Sequence, residues 1–388
     1  MNILPRYLII QQGARRHLPN ILSELKCTRP LLITDPFMQK HGHADELREI
    51  IAQQHKATLA LDVFYKTVPE PDTNCLKEAL ATFRDGNYDC VVALGGGSPI
   101  DIAKAVAVIG HGEPDLNKYR VPNIPKNGLP VIAIPTTAGT GSEVTKATVI
   151  TDSDTEEKIL CMAPCFQPIA ALVDYEYTLT CPPPLSAFTG IDALTHAIES
   201  YVSKKRSLFT DAMALSAMSA IWRNIRTVCK DPNEHEARQA MMNAATLAGI
   251  AFSNASVALV HGMARPIGAH FHVAHGLSNA MLLPTVTSFS IKAAKSRYAD
   301  CARAMGIANQ NASDDAACVD LMHGLIDLNQ DLKVPSPLEY GIDRNKYEKL
   351  LPVMVKQALA SGSPSNNPIV PSEEEMADLY LRAFEGRV

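Results

Sequence analysis

The sequence predicts a mainly parallel α/β domain followed by an all-α-helical domain. In the first half, short apolar runs alternate with helical stretches, a pattern typical of repeated strand–helix–strand units around a covered sheet. In the second half, one helical stretch follows another and strand signals nearly vanish. The stretch Cys181-Pro182-Pro183-Pro184 lies between the two patterns and cannot continue a sheet ladder. We therefore expect one domain at residues 1–181 and a second at residues 182–388.

The composition is that of a globular protein. The chain has 388 residues, of which 46% are hydrophobic and 20% charged, a length that suits two domains. The net charge of -5 is spread without a basic block, which argues against nucleic acid and anionic membranes as partners. Residues 1–10 lack the features of a secretory signal, and no apolar run reaches the length of a membrane span. Its 9 cysteines include no C-x-x-C pair, so we expect a reduced, cytoplasmic setting.

The individual elements follow from apolar runs and helical periodicity. In the first domain, strands are predicted at 30–34, 60–64, 89–94 and 131–134. Helices are predicted between them at 44–55, 73–83 and 102–109. In the second domain, helices are predicted at 186–202, 208–228, 235–254, 292–305, 313–328, 347–360 and 372–383. The apolar segment 3–10 is a candidate edge strand for pairing with a second copy of the chain.

A glycine-rich loop joins the predicted strand 89–94 to the helix that follows. It reads Gly95-Gly96-Gly97-Ser98-Pro99. Consecutive glycines let backbone N–H groups approach a phosphate, and a helix N-terminus favours negative charge. A plain tight turn explains the same residues, because a glycine triplet alone is a weak signal. The glycine-rich loop alone therefore does not establish a nucleotide site, and a second donor-rich loop is needed beside it.

A second loop rich in small hydroxyl residues follows the predicted strand 131–134. It contains Thr136, Thr137, Thr140 and Ser142 among glycines. Backbone and side-chain donors in such a loop suit a diphosphate or a ribose, although the same residues could cap a helix. Two donor-rich loops at the ends of successive strands favour a dinucleotide, since ligands bind at the carboxyl ends of open α/β sheets.

Asp35 closes an earlier predicted strand. An acidic side chain there can accept hydrogen bonds from the adenosine ribose and would repel the additional phosphate of NADP, which predicts a preference for NAD. The alternative is that Asp35 is the N-cap of a helix beginning at Pro36.

The stretch 190–200 carries a candidate metal site. Asp192 and His196 are four residues apart among helix formers, so both project from one helix face. A catalytic metal needs at least one further protein ligand, and His261 and His275, each followed by glycine, are the candidates. A single histidine on an apolar helix is more often a hydrogen-bonded core residue than a ligand. The clustering of His261, His270, His272 and His275 in one segment weakens that alternative.

These motifs, taken in order along the chain, resemble those of the iron-dependent (group III) alcohol dehydrogenases. The resemblance covers 95–101, 135–143, 190–199 and the two His-Gly pairs that begin at 261 and 275. It implies a dinucleotide-binding α/β domain, a helical domain, a metal in the cleft between them, and a homodimer. Carried over by position, it implies as metal ligands Asp192, His196, His261 and His275. It implies as cofactor residues Gly96, Gly97, Ser98, Asp101, Thr136, Thr137, Thr140 and Lys158.

The chain departs from the family pattern at Arg265. Many members have a histidine four residues after the third metal ligand, whereas this chain has a permanent cation with a fork of donors. Such a group suits a carboxylate, sulfonate or phosphonate on the substrate. Alternatively, Pro266 bends the helix and Arg265 binds backbone carbonyls or a structural acid. A second departure is Ile369 after Asn366-Asn367-Pro368, where members often have a basic residue.

His270 and His272 are candidate proton carriers between the site and solvent, because an imidazole titrates near neutral pH. Surface or supporting positions are equally compatible with the sequence. Glu199, three residues after His196, either orients a metal ligand or faces solvent.

The expected activity is metal-dependent hydride transfer between NAD(H) and a small alcohol or aldehyde, with an anionic group on the substrate as the hypothesis for Arg265. The expected metal is Fe²⁺, with Zn²⁺ and Mn²⁺ as alternatives that the ligand types do not separate. Rival activities on this scaffold are a polyol dehydrogenase and a lyase resembling dehydroquinate synthase. A non-catalytic metal or nucleotide sensor is the rival of another class. A zinc metalloprotease is disfavoured, because the sequence has no H-E-x-x-H motif.

Overall fold

The computed structural model describes residues 2–55, 60–123, 125 and 127–388. The chain forms two compact units, Met1–Thr180 and Cys181–Val388. The first unit is an α/β unit and the second is helical, which confirms the predicted fold class.

The first unit is built around a six-stranded sheet in which every strand pair is parallel. In spatial order the strands are β1 (Tyr7–Ile10), β8 (Ala170–Val173), β5 (Val131–Pro135), β4 (Cys90–Gly95), β2 (Pro30–Ile33) and β3 (Asp62–Phe64). All six residues of β4 are buried, as expected for a central strand covered on both faces. A separate antiparallel hairpin consists of β6 (Ala147–Thr151) and β7 (Lys158–Met162).

Helices cover this sheet on both sides. They are α1 (Leu18–Glu24), α2 (Pro36–Lys40), α3 (His43–His55), α4 (Thr73–Asp85) and α5 (Gly97–Ile109). The helix α5 begins five residues before its predicted start, because Gly96 is the N-cap and Pro99 is tolerated in the first turn. Sequence periodicity also missed β8 and the β6–β7 hairpin. The segment at the N-terminus does form an edge strand, β1, and its pairing partner within the chain is β8.

The second unit contains only helices among its regular elements, and all of its residues are described. They are α6 (Pro183–Val202), α7 (Leu208–Lys230), α8 (His235–Ala255), α9 (Leu259–Phe271), α10 (His275–Ile291), α11 (Lys295–Met305), α12 (Asp314–Asp331), α13 (Arg344–Ala360) and α14 (Glu373–Phe384). Periodicity did not predict α9 and α10, whose interiors contain prolines and glycines that normally interrupt helices. Within the described chain no single helix is long and apolar enough to cross a membrane, and α8 with α9 reaches that length and composition only as a pair bent by 103°.

The helix α6 lies at the centre of the helical unit, and every residue from Gly190 to Val202 is buried. Gly190 makes close packing against the next two helices possible. A Cβ atom there would lie 2.8 Å from Ile225 Cδ1 and 2.9 Å from Met241 Cε. The predicted Asp192–His196 pair is therefore inside the unit, where an uncompensated charge would be costly.

Candidate active site

Three helices bring four predicted ligands together. Asp192 and His196 lie on α6, His261 on α9 and His275 on α10, and one donor atom from each lies within 4.8 Å of all the others. Asp192 Oδ1 is 3.4 Å from His261 Nε2, 3.7 Å from His275 Nε2 and 4.0 Å from His196 Nε2. Donors bound to one tetrahedral ion at its usual bond lengths are separated by about 3.4 Å. The spacing therefore fits a single divalent cation.

Packing of α10 against α6 sets the position of His275. A Cβ atom on Gly276 would lie 2.5 Å from the Phe188 carbonyl oxygen and 3.3 Å from Asp192 Cβ, so only glycine allows this approach. The His196 ring is stacked between Phe252 and the ring of His261, with centroid distances of 4.1 and 4.5 Å. The ligand side chains are held by packing as well as by their own interactions.

Glu199 orients His261. Its buried carboxylate accepts a hydrogen bond from His261 Nδ1 at 2.7 Å and from the backbone N–H groups of Ala258 at 2.9 Å and Val260 at 2.6 Å. A proton on Nδ1 leaves the lone pair of Nε2 directed at the other ligands, which is the tautomer that a metal requires. Of the two roles considered for Glu199, the solvent-facing one is wrong, because the side chain is buried.

The carboxylate and the imidazoles of the cluster shift each other's pKa values. Burial by itself would raise the pKa of Asp192, but the imidazoles of His196, His275 and His261 outweigh it and hold that pKa well below its usual range. Burial would likewise lower the pKa of His261, but its hydrogen bonds with Asp192 and Glu199 raise it to about 9. The site thus stabilises positive charge next to a permanent carboxylate, and a divalent cation can take the place of the proton.

Asn279 also lies at this cluster, and it was not singled out in the sequence. It is fully buried on α10, and its Nδ2 donates to Asp192 Oδ1 at 2.7 Å. The only signal in the sequence is its position four residues after His275, on the same helix face.

In the first unit, the two predicted cofactor loops touch each other. They follow β4 and β5, which are neighbours with Gly95 paired to Pro135. A Cβ atom on Gly96 would lie 3.3 Å from Thr137 Oγ1, and one on Gly97 would lie 3.0 Å from Thr140 Cγ2. The glycines therefore let the two loops pack closely against each other, at the strand ends where parallel α/β sheets bind ligands.

The start of α5 supplies donors for an anion. Its N-cap, Gly96, makes no side-chain capping hydrogen bond. The first N–H groups of a helix have no partner inside it, and those of Gly97 and Ser98 belong to this turn. A diphosphate fits such a glycine-lined helix start.

Asp101 and Ser142 join α5 to the second loop. Asp101 Oδ1 accepts from Ser142 Oγ at 2.6 Å, and Asp101 Oδ2 accepts from the Val149 N–H at 2.9 Å. The fully buried Lys104 donates to Ser142 Oγ at 3.0 Å and to Thr145 Oγ1 at 2.9 Å. The structure thus gives Asp101 and Ser142 a role in holding the loop. Direct contact of either with the cofactor stays a prediction.

The two remaining cofactor candidates have partners of their own. Asp35 Oδ1 accepts from the Met38 N–H at 2.9 Å, so the N-cap role considered for this residue is present. Asp35 also follows the end of β2, and its contact with a ribose stays a prediction. Lys158, in the β6–β7 hairpin, forms an ion pair with Glu70.

Arg265 lies one helical turn after His261 on α9 and is partly buried. Burial lowers the pKa of its guanidinium, and the charge of Glu199 opposes that shift. The guanidinium forms no hydrogen bond or ion pair with any described residue, whereas a structural cation inside a protein normally has such a partner.

His270 and His272 lie at the far end of α9. The ring Nε2 of His270 is 2.8 Å from Gln357 Oε1, and His272 is exposed just beyond the helix. His270 lies nine positions after His261 on the helix, which corresponds to roughly 13 Å along the axis. The four-residue metal cluster does not include either histidine.

The asparagines at 366 and 367 are buried supports. Asn366 Nδ2 donates to Ser256 Oγ at 2.9 Å and to the Val257 carbonyl at 3.1 Å, which ties this loop to the turn before α9. Asn367 Nδ2 donates to Ser290 Oγ at 2.9 Å. The departure at Ile369 thus lies beside a loop that braces the histidine-bearing helices.

An α/β unit with paired donor loops and a helical unit with a three-histidine, one-carboxylate cluster define a class of nucleotide-dependent metalloproteins. Residues 5–175 match the model of the iron-containing alcohol dehydrogenases, and residues 186–384 match that of the C-terminal part of the Fe-containing alcohol dehydrogenase family. The chain belongs to this family, which confirms the resemblance predicted from its motifs.

Individual relatives agree with the family assignment. The chain is 35% identical to long-chain-alcohol dehydrogenase 1 of Geobacillus thermodenitrificans over 100% of its own length and 97% of the relative. A crystal structure of a 1,3-propanediol oxidoreductase superposes with a TM-score of 0.93 at 32% identity, covering 99% of both chains. A sulfoacetaldehyde reductase of Bifidobacterium kashiwanohense, solved with NAD+, has a TM-score of 0.87 at 25% identity, covering 99% of this chain and 98% of that one.

Proposed function

We propose that this protein is an NAD(H)-linked, metal-dependent alcohol dehydrogenase or aldehyde reductase. The observation that carries the proposal is the cluster of one carboxylate and three imidazoles in a member of the iron-containing family; it is spaced for one cation and is buried except at the partly exposed His275. Asp192, His196, His261 and His275 would hold the ion, which we propose to be Fe²⁺. When bound, the ion supplies Lewis-acid polarisation of the substrate oxygen.

The residues of the chain contribute binding, orientation and charge. Glu199 keeps His261 in the tautomer that presents Nε2 to the ion, and Asp192 lowers the net positive charge of the loaded site. The loops that contain Gly96, Gly97 and Thr140 would hold the diphosphate of NAD, and Asp35 would accept from the adenosine ribose. Hydride transfer itself belongs to the nicotinamide, so catalysis by the protein consists of placing the two reactants.

A coupled measurement tests this function. Protein of known metal content is mixed with NADH and a panel of small aldehydes, and NADH absorbance is followed with metal-free and Fe²⁺-loaded samples. We expect saturable NADH consumption that requires the metal. Equal rates in metal-free and Fe²⁺-loaded protein would contradict the proposal.

The same measurement separates the rivals. A lyase resembling dehydroquinate synthase would consume no net NADH, and a sensor would show no turnover with any substrate. A polyol dehydrogenase would reduce ketones derived from polyols in preference to simple aldehydes. Loading with Zn²⁺ or Mn²⁺ in place of Fe²⁺ then ranks the three ions by the rate that each supports.

We further propose that the substrate carries an anionic group recognised by Arg265. The support is a guanidinium that is partly buried, lies on the same helix face as His261 and has no partner among the described residues. A partly buried guanidinium without a hydrogen-bond partner is costly, and a carboxylate, sulfonate or phosphonate on the substrate would supply that partner. The fork of donors fits such groups in a bidentate manner.

Substitution of Arg265 tests this specificity. In Arg265→Ala we expect kcat/KM to fall about 100-fold for an anionic aldehyde, the size of a lost charge-assisted contact, with little change for propanal. Arg265→Lys keeps the charge and loses the fork of donors. Its kcat/KM for the anionic aldehyde should lie between the values of Arg265→Ala and the unmodified protein. Arg344→Ala on the exposed start of α13 is the matched control. A parallel loss for anionic and neutral aldehydes in Arg265→Ala would refute the charge-recognition role.

Two further proposals concern the surroundings of the reaction. His270 and His272 are proposed as proton carriers, and unchanged pH-rate profiles after separate replacement by Gln would remove them from the mechanism.

A homodimer in the cytoplasm is proposed on the support of the exposed edge of β1. Sedimentation as a monomer would contradict the dimer.

A further inference from the structure

Two cysteines lie side by side at the amino ends of strands β2 and β4, at the opposite end of the sheet from the cofactor loops. Cys27 lies three residues before β2, and Cys90 is the first residue of β4. Their sulfur atoms and one carboxylate oxygen of Asp89 lie within 4.8 Å of one another. A disulfide bond joins sulfurs about 2.05 Å apart, and rotation of the two side chains can close such a gap.

Hydrogen bonds between the neighbouring residues hold the two cysteines together. Asp89 precedes Cys90, and its Oδ2 accepts from the N–H and the Oγ1 hydroxyl of Thr28 at 2.7 and 2.8 Å. Its Oδ1 accepts from the Arg29 N–H at 3.0 Å, and its own N–H donates to the Arg29 carbonyl at 3.1 Å. The carboxylate is thereby committed to the turn that follows Cys27, and the two thiols are the remaining reactive groups of the cluster.

The two thiols differ in access and in acidity. Cys90 is fully buried. Cys27 is only 5% exposed, but it lies between the exposed residues Lys26 and Thr28. A hydrogen bond from Cys90 stabilises the Cys27 thiolate and lowers the pKa of Cys27 against the effect of burial, and the same hydrogen bond raises the pKa of Cys90. Cys27 is therefore the thiol that ionises more readily and the one that a small oxidant reaches first.

We propose that Cys27 and Cys90 are a peroxide-sensitive thiol pair that closes reversibly to a disulfide bond. The thiolate of Cys27 attacks one oxygen of hydrogen peroxide, the O–O bond breaks, one water is released and a sulfenic acid forms on Cys27. The thiol of Cys90 then attacks that sulfur, the S–S bond forms and a second water leaves. The two thiols supply two electrons and two protons, and the peroxide becomes two molecules of water.

The bond would close the chain between Cys27 and Cys90 into a loop that contains β2, β3 and the helices between them. Closing a long loop removes conformational freedom from the unfolded chain, so the oxidised form should resist unfolding better than the reduced form. In a reduced compartment the bond is transient, because thiol reductants restore both cysteines. The pair belongs to the α/β unit alone, so the inference is independent of the proposed metal site.

Thiol counting and peptide mapping test the pair. The full-length protein is loaded with Zn²⁺, freed of excess ion and treated with hydrogen peroxide, since Fe²⁺ would itself react with the oxidant. Free thiols are then counted in denaturant, and disulfide-linked peptides are identified by mass spectrometry. We expect the count to fall from 9 to 7, with one cross-link between Cys27 and Cys90, and to return to 9 after a thiol reductant.

Single substitutions separate the roles of the two thiols. In Cys90→Ala the sulfenic acid has no second thiol to attack it, so dimedone should label Cys27. In Cys27→Ser the cross-link cannot form, and thiol loss should be about 10-fold slower. Cys75→Ser is the matched control, because the Cys75 thiol is buried in the same unit and donates to the Lys66 carbonyl at 3.8 Å. This control should form the cross-link at the rate of the unmodified protein.

A count of 9 after peroxide, or equal thiol loss in the unmodified protein and in Cys27→Ser, would overturn the inference. If Cys90→Ala does not fold, the comparison of the unmodified protein with Cys27→Ser still decides it. Urea denaturation tests the consequence: peroxide should raise the midpoint of the unmodified protein and leave that of Cys27→Ser unchanged. Equal midpoints for the cross-linked and the reduced protein would overturn the stabilising effect of the bond.

Discussion

The metal cluster of the helical unit and the donor loops of the α/β unit use side chains in different ways. In the cluster, Asp192, His196, His261 and His275 come from three helices and each contributes the atom that would bind. In the loops, the important feature at Gly96 and Gly97 is the absence of a side chain, and the proposed donors to a cofactor are backbone N–H groups. Supporting residues follow the same division, since Glu199 orients a ligand and Lys104 holds a loop.

This difference teaches where substitution is most damaging. A metal ion is held by only four ligand atoms, so removing one of them takes away a large share of its binding. A dinucleotide is extended and is bound by many weak contacts, so one supporting residue carries less of the total. We therefore expect the effects of substitution to decrease from the metal ligands, through Glu199 and Lys104, to Asp35.

The largest effect is expected for His261→Ala. Loss of this ligand should reduce metal content to near zero and kcat by about 1,000-fold or more, because the polarising charge is lost with the ion. Metal analysis of the purified variant and NADH turnover are the measurements. His323→Ala, an exposed histidine on α12, is the control and should retain both. Stoichiometric metal in purified His261→Ala would contradict the role of His261 as a metal ligand.

Glu199→Gln should weaken metal binding by 10- to 100-fold, because the amide no longer fixes His261 with a full negative charge. At saturating metal, kcat should recover most of its value, since all four ligands are still present. Chelator competition measures the affinity. Glu339→Gln, an exposed glutamate in the same unit, is the control. Unchanged affinity in Glu199→Gln would show that packing alone positions the imidazole.

Lys104→Met should raise the KM for NAD about 10-fold with metal content unchanged, because three hydrogen bonds to the loop around Ser142 and Ala147 disappear. Lys118→Met, an exposed lysine in the same unit, should leave KM unaltered. An unchanged KM in Lys104→Met would show that the loop holds its shape without the ammonium.

The pKa of Lys104 also predicts a pH dependence. Burial lowers this pKa from 10.5 to about 8, against the charges of Asp101 and Glu143. Between these values the unfolded chain binds a proton that the native chain does not, so the contribution of Lys104 to the free energy of unfolding rises with pH in that window. Denaturation by urea at pH 8 and pH 10 should show a smaller rise for Lys104→Met than for the unmodified protein. A rise of equal size in both would assign it to other groups.

The smallest effect is expected for Asp35→Asn. Removing the charge should improve kcat/KM with NADP several-fold, while use of NAD falls little, because the amide can still cap α2 and accept from a ribose. Steady-state kinetics with both cofactors measures the ratio. A preference for NADP in the unmodified protein would end the proposed role of Asp35 and leave only its capping of α2.

Much of the fold could be predicted from the sequence, since apolar runs identified β2, β4 and β5 and helical periodicity identified most of the second unit. The misses have physical causes. The strand β8 is four residues long, too short to show a period. The helices α9 and α10 contain Pro266 and Pro284, which sequence rules treat as breaks.

The sequence by itself determined the features that depend on neighbours along the chain. Asp192 and His196 share a face because helical residues four apart do so, and the glycines of the first loop are consecutive. Only the tertiary structure decided which distant groups meet them: Glu199 with the start of α9, Lys104 with the second loop, and Asn279 with the ligand atoms. The spacing of residues along the chain predicts only which side chains share a face of one helix or strand. The contacts above depend on how separate elements pack, and a local sequence pattern does not predict that packing.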